Sequence, residues 1–73
     1  MLSEQQAIER AKQVAQEQGW AWGEPALATY RKAWFGKRGR WEIFSNAHGL
    51  GAKARVVLDA ETGAVLDKGY IAR

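Results

Sequence analysis

The chain lacks cysteine and has only one histidine, one proline and no apolar run near the length of a membrane span. Without cysteine there is no disulfide framework and no thiol nucleophile, and a single histidine leaves a zinc site short of ligands. We therefore expect no metal, no cofactor and no membrane segment. With 73 residues, the chain has room for one small domain, residues 1–73.

Acidic side chains are fewer than basic ones, since eleven Lys and Arg against eight Asp and Glu give a net charge of +3. This balance permits an acidic partner without specifying one. The start of the chain, residues 1–6, is polar and acidic with no apolar stretch behind it, which does not fit a secretory signal. We expect a cytoplasmic protein.

An amphipathic helix is predicted near the N-terminus. Ser3 followed by Gln6 fits a capping box, and Gly19 supplies a left-handed C-terminal stop. The apolar side recurs at steps of three and four residues and comprises Ala7, Ile8, Ala11, Val14 and Ala15. Because most of these residues are alanine, the helix is expected to lie close against a β-sheet.

The pattern becomes strand-like after Pro25, which forces its predecessor to be extended. Strands are predicted over residues 27–35, 40–45 and 53–59. Trp41 and Ile43 share one face of the second strand, and the third strand alternates in the same way. Helix and strands together predict an α+β domain, with one N-terminal helix packed on a three- to four-stranded antiparallel meander.

The strongest local signal lies in residues 59–63, where Asp59 can accept from amides two residues on and Gly63 can take a positive φ. This turn joins the third strand to a fourth. Apolar residues occupy both parities of the fourth strand, so its register stays open from pattern alone. A bulge near Gly63 or Gly69 would reconcile them.

Three parts of the chain carry a family resemblance: the helix pattern A-I-x-x-A-x-x-x-A, the strand Trp41-Glu42-Ile43 and the hairpin at residues 57–66. Together they resemble a PepSY domain, a small helix-on-meander module associated with peptidase propeptides and the regulation of proteases. The layout is also similar to small bacterial immunity proteins with a cystatin-like or nuclear-transport-factor-like sheet, which are cytoplasmic and bind a toxin. Both resemblances imply a noncatalytic protein that binds another protein.

The segment at residues 30–41 mixes cations with aromatics and contains no acid. Such a mixture suits phosphate contacts and base stacking, so nucleic-acid binding is the alternative hypothesis. Its candidate residues are Arg31, Lys32, Lys37, Arg38 and Arg40. Against this alternative, a hairpin places aromatics inward and cations outward in any case, and a net charge of +3 is low for the role.

Four tryptophans are more than one helix over a small sheet can readily bury. Trp41 is expected in the core and Trp20 at the end of the helix. Trp22 and Trp34 are left for a partner surface, because Trp and Arg are enriched at binding hot spots. The predicted partner-binding residues are Trp22, Trp34, Arg31 and Arg40. Alternatively, the tryptophans simply cover the second face of the sheet.

No set of residues converges on catalysis. His48 lies in a glycine-rich loop beside Ser45, where a solvent-exposed histidine is a better interpretation than a catalytic one. The glycines at 49 and 51 hint at a phosphate cradle, but no helix follows them. We predict a noncatalytic regulatory module with an unknown protein partner, either a monomer or a weak homodimer formed through a sheet edge.

Overall fold

The computed structural model describes residues 1–32, 39–49 and 51–71. One helix precedes four strands: α1 (Glu4–Gln18), β1 (Leu27–Arg31), β2 (Arg40–Phe44), β3 (Lys53–Asp59) and β4 (Val65–Ile71). The strands form one antiparallel sheet in the order β1-β2-β3-β4. The predicted α+β class is confirmed. β1 ends at Arg31, and residues 33–35 of the predicted first strand lie outside the described residues.

Helix α1 has the ends that its sequence predicts. The Ser3 hydroxyl accepts from the Gln6 amide at 3.1 Å, and the Gln6 side chain accepts from the Ser3 amide at 2.9 Å. Gly19 closes the helix at φ 76°. The buried side consists of Ala7, Ala11, Val14 and Ala15. These small side chains let the helix lie close over β1, β2 and β3.

The core lies between α1 and one face of the sheet. Ile43, Val56 and Leu58 are fully buried there, and Trp41 is buried beside them. Complete burial of one such aliphatic side chain contributes about 1.5–3 kcal/mol. The alternation predicted for the second and third strands is confirmed, since the residues between these positions face away from the helix.

A β-bulge explains the mixed parity of the last strand. Val57 pairs with Asp67, whereas Leu58 pairs with Val65, so Leu66 is the extra residue. The bulge that the pattern requires therefore lies between the two glycines considered for it. Leu66 is thereby turned away from the core.

The turn between β3 and β4 holds the segment that precedes α1. Asp59 Oδ1 accepts from the amides of Glu61 at 2.8 Å and Thr62 at 3.1 Å, as the turn motif predicts. The Leu2 amide donates to the Ala60 carbonyl at 2.7 Å, and the Trp41 indole donates to the Leu2 carbonyl at 3.1 Å. The entry to the helix is thus attached to both the core and the hairpin.

Candidate functional site

The two faces of the sheet differ in what covers them. Helix α1 lies over one face, and no described element lies over the other, which we call the open face. Strand alternation and pairing give this face a largely charged centre. Its central residues are Arg31, Arg40, Glu42, Arg55, Val57 and Asp67.

Four charged side chains of the open face, one from each strand, form a continuous ionic row. Arg31 Nη2 lies 3.1 Å from Glu42 Oε1, and Arg55 Nη2 lies 3.1 Å from Glu42 Oε2. Arg55 also reaches Asp67 Oδ2 through Nη1 at 2.9 Å. Each carboxylate is held by arginine, so the row presents fixed rather than freely moving side chains.

The ionic row keeps its carboxylates charged. Burial opposes ionisation of Glu42, but hydrogen bonds from Arg31 and Arg55 outweigh it and lower the pKa below its ordinary value of 4.5. The hydrogen bond from Arg55 lowers the pKa of Asp67 as well. The same bond, with that to Glu42, raises the pKa of Arg55. At neutral pH the row therefore balances its own charge.

Arg40 adds a positive charge beside this balanced row. It lies directly opposite Arg31 across β1 and β2, where facing Cβ atoms are about 4.5–5.5 Å apart. Like charges in that position repel each other. Arg31 is compensated by Glu42, whereas the Arg40 side chain makes no hydrogen bond or ion pair with a described residue. Asp59 faces Arg40 from β3, but it is buried and its Oδ1 accepts from two amides of the turn. This end of the open face therefore presents two neighbouring guanidinium groups.

A shallow depression of about 340 Å³ lies at the same place. Arg40 and the four residues of the ionic row surround it, together with Val57 and Leu66. Val57 is only 5% exposed although it faces away from the helix, so it forms an apolar floor. A larger depression, about 510 Å³, lies along α1 between polar side chains such as Lys12 and Gln16 and has no apolar floor.

Exposed apolar side chains flank the charged centre. Leu27 is 51% exposed, Leu66 54% and Ile71 49%, and they lie on the two outer strands. Phe44 is half-buried between them on β2. A charged centre with apolar flanks offers both directional contacts and surface that a partner can remove from water.

The structure brings together two of the four residues predicted to bind a partner. Arg31 and Arg40 lie side by side on the open face. Trp22 instead packs half-buried against the core, and its indole donates to Glu24 at 2.9 Å. Trp34 lies outside the described residues.

The other tryptophans occupy the places expected of them. Trp41 is buried in the core, and Tyr30 packs edge-on against it with ring centroids 5.4 Å apart. Trp20 follows the helix and stacks on Tyr70 at 5.7 Å. Tyr30 and Trp41 therefore lie on the helix side of the sheet while Arg31 and Arg40 lie on the open face, as the alternation of a hairpin predicts.

The structure describes only some of the residues that the nucleic-acid alternative depends on. Arg31 is engaged by Glu42, Arg40 lies opposite it, and Lys32 is exposed just after β1. Lys37 and Arg38 lie outside the described residues. Along the ionic row, the arginines alternate with carboxylates.

The loop residues considered for chemistry have structural roles. Ser45 is fully buried, and its hydroxyl accepts from the Ala54 amide at 2.8 Å, so it does not face His48, which is exposed. Lys53 donates to the carbonyls of Asn46 and Gly49 at 2.5 and 2.9 Å, which leaves it bound within the loop. Over residues 1–32, 39–49 and 51–71, no three His, Cys, Asp or Glu side chains are grouped as a metal site.

Four residues that surround the depression are not predicted from the sequence: Glu42, Asp67, Val57 and Leu66. The signal for the first was present, because Glu42 lies two residues from Arg40 and thus on the same side of a strand. Asp67 and Leu66 depend on the bulge, which no local pattern locates.

In comparisons with known proteins, no family model, no curated protein and no solved structure matches the chain. The resemblance to PepSY domains and to immunity proteins stays a prediction. None of the described helices has the length and apolar character needed to cross a bilayer.

Proposed function

We propose that the domain is a noncatalytic protein-binding module that contacts its partner through the open face. In this proposal it acts by occupying a partner, as the regulatory PepSY-like and the inhibitory immunity-like proteins that its sequence resembles do. The observation that carries the proposal is the ionic row, which crosses all four strands on a face that no described element covers.

The ionic row favours binding because its side chains are already ordered. Glu42 is held from two sides, by Arg31 and by Arg55. Side chains fixed before association lose less conformational freedom when a partner arrives. Leu27, Leu66 and Ile71 add exposed apolar area beside the row. These are the two ingredients of a protein interface, a polar pattern and a surface to desolvate.

A protein partner is favoured over nucleic acid by the charges on the same face. A nucleic-acid backbone presents a succession of phosphates and is bound by cations that release its counterions. On the open face, Glu42 and Asp67 neutralise the arginines of the row and would repel successive phosphates. An alternating pattern of charges instead fits a partner that carries both signs.

The proposal is tested by affinity capture from source-cell lysate, with and without nuclease treatment. Three tagged baits are compared: the wild type, Leu66→Lys on the open face and Gln16→Lys on the exposed side of α1. Both substitutions add one positive charge at an exposed position, and Leu66→Lys also removes an apolar side chain of the open face. Circular dichroism first shows that all three baits are folded.

We expect a protein recovered near one-to-one by the wild type and by Gln16→Lys, and lost with Leu66→Lys. Equal recovery by all three baits would place the binding surface elsewhere. Recovery that disappears on nuclease treatment would support the nucleic-acid alternative instead.

A further inference from the structure

The opposed pair Arg31 and Arg40 has guanidinium N–H donors that no described side chain accepts from. We infer that this pair binds the carboxylate of an acidic side chain in a segment of the partner, with an aliphatic neighbour of that residue over Val57 and Leu66. The inference rests on the proposed function and specifies the chemistry that the open face recognises.

Free donors are the first support for this inference. A guanidinium carries five N–H donors. Arg31 gives one nitrogen, Nη2, to Glu42, and its side chain is 57% exposed. Arg40 gives none to another side chain within the described residues. Both line the same depression, so one carboxylate can accept from the two guanidinium groups together.

The positions of the charges are the second support. Arg31 and Arg40 face each other, and Asp59, which faces Arg40 from β3, is buried and accepts from two amides of the turn. One incoming carboxylate would relieve the repulsion between the two arginines. A chain of phosphates would in addition meet Glu42 and Asp67, so a single carboxylate fits better.

The apolar floor identifies the residue beside the carboxylate. Val57 lies beneath the charged side chains, and Leu66 forms an exposed apolar wall next to them. A guanidinium bound to a carboxylate gains from the exclusion of water, which a neighbouring aliphatic side chain would provide here. The preferred segment therefore has Glu or Asp next to a residue such as Val or Leu.

The inference is tested by NMR titration of the ¹⁵N-labelled protein with a capped peptide, Gly-Ser-Val-Glu-Val-Ser-Gly. A second peptide with Gln in place of Glu is the matched ligand control. The protein variants are Arg40→Gln and Lys68→Gln, which lose the same charge. Lys68 is exposed on β4 but pairs opposite Val56 and so lies on the helix side of the sheet.

We expect the Glu peptide to shift amide signals at the end of β1 and the start of β2, and the Gln peptide to leave them in place. Arg40→Gln should weaken binding about tenfold or more, the cost of losing hydrogen bonds to a charged group. Lys68→Gln should leave the affinity unchanged within about twofold, because exposed charges at a distance are screened.

Three results of the peptide titration would overturn the inference: no shift with the Glu peptide, equal binding of the Gln peptide, or equal losses in Arg40→Gln and Lys68→Gln. Displacement of the peptide by a single-stranded oligonucleotide at lower concentration would favour nucleic acid. If the captured partner is lost with Leu66→Lys but retained by Arg40→Gln, the proposed function stands and only this inference fails. If neither variant loses the partner, both fail.

Discussion

The two faces of the sheet are built from alternate residues of the same strands, yet they differ in nearly every physical respect. On β2, Ile43 is fully buried under α1, while its neighbour Glu42 joins the ionic row on the open face. On β3, Val56 and Arg55 show the same contrast. One face excludes water, and the other presents ordered charges to it.

This difference separates the source of stability from the surface available for recognition. A buried aliphatic side chain contributes about 1.5–3 kcal/mol, whereas a solvent-accessible ion pair contributes about 0–1 kcal/mol. The covered face therefore holds the fold together, and the open face can meet a partner without weakening it. The predictions that follow test this separation, from the largest expected change in stability to the smallest.

The same leucine truncation should have very different effects on the two faces. Leu58→Ala removes a fully buried side chain next to Trp41 and should lower the free energy of unfolding by about 2–5 kcal/mol. Leu66→Ala on the open face should lower it by less than about 1 kcal/mol, since Leu66 is largely exposed. Urea denaturation measures both, and equal losses would contradict the assignment of stability to the covered face.

Removal of a buried hydroxyl should likewise lower the free energy of unfolding more than removal of an exposed one. Ser45→Ala leaves the buried Ala54 amide without its hydroxyl acceptor and should lower the free energy of unfolding by about 1–3 kcal/mol. Thr29→Ala is the exposed control on β1, with an expected cost under about 1 kcal/mol. Thermal denaturation at one pH compares them, and a neutral Ser45→Ala would show that another group satisfies the amide.

Glu42→Gln should lower the stability slightly and strengthen binding of the Glu peptide. Loss of its ion pairs should cost less than about 1 kcal/mol at neutral pH. It also leaves the positive charges of Arg31 and Arg55 uncompensated, and this added attraction should exceed the loss of side-chain ordering, so the affinity for the Glu peptide should rise by up to about fivefold. Weaker binding would mean that the ordering of the arginines by Glu42 matters more than the added charge.

The same variant has a defined pH signature. The pKa of Glu42 is lower in the folded protein than its ordinary value of 4.5, so the unfolded chain binds more protons in acid. The stability that Glu42 supplies is therefore present above pH 4.5 and is lost as pH falls through the folded pKa. Denaturation from neutral to acidic pH should show a shallower decline for Glu42→Gln than for the wild type, and parallel curves would contradict this.

The smallest change in stability is expected at the edge of the sheet. Lys68→Val on β4 should alter the free energy of unfolding by no more than about 0.5 kcal/mol. It removes a charge from an edge strand, however, and such charges oppose pairing between sheets. Light scattering across concentrations should show a wild-type monomer and an associating Lys68→Val, with Lys68→Glu as a monomeric control. A wild-type dimer would support the homodimer alternative.

Local signals predicted most of the fold. The hydroxyl of Ser3, the positive φ of Gly19 and the side chain of Asp59 each act within a few residues of themselves, so they can be recognised in a linear sequence. The alternation around Trp41 and Ile43 is equally local and places both in the core. These features are independent of the other strands.

The candidate site depends on strand register, which is why the sequence predicted only part of it. Arg31 and Arg40 were singled out for their type, but their position opposite each other follows from the pairing of β1 with β2. The contact of Arg55 with Asp67 requires the bulge at Leu66, which shifts the last strand by one residue. The half-buried position of Trp22 could not be predicted for the same reason, since its packing on the core is a tertiary contact.

The bond between Leu2 and Ala60 also constrains when the protein can fold during synthesis. Translation delivers α1 first, and a free helix of 15 residues is marginal in water. The Ala60 carbonyl, which accepts from the Leu2 amide just before the helix, is synthesised only after β3. Before then the nascent helix has no complete sheet to pack against. A ribosome stalled before Ala60 should therefore carry a protease-sensitive chain, and the domain should become resistant only when the last hairpin is released.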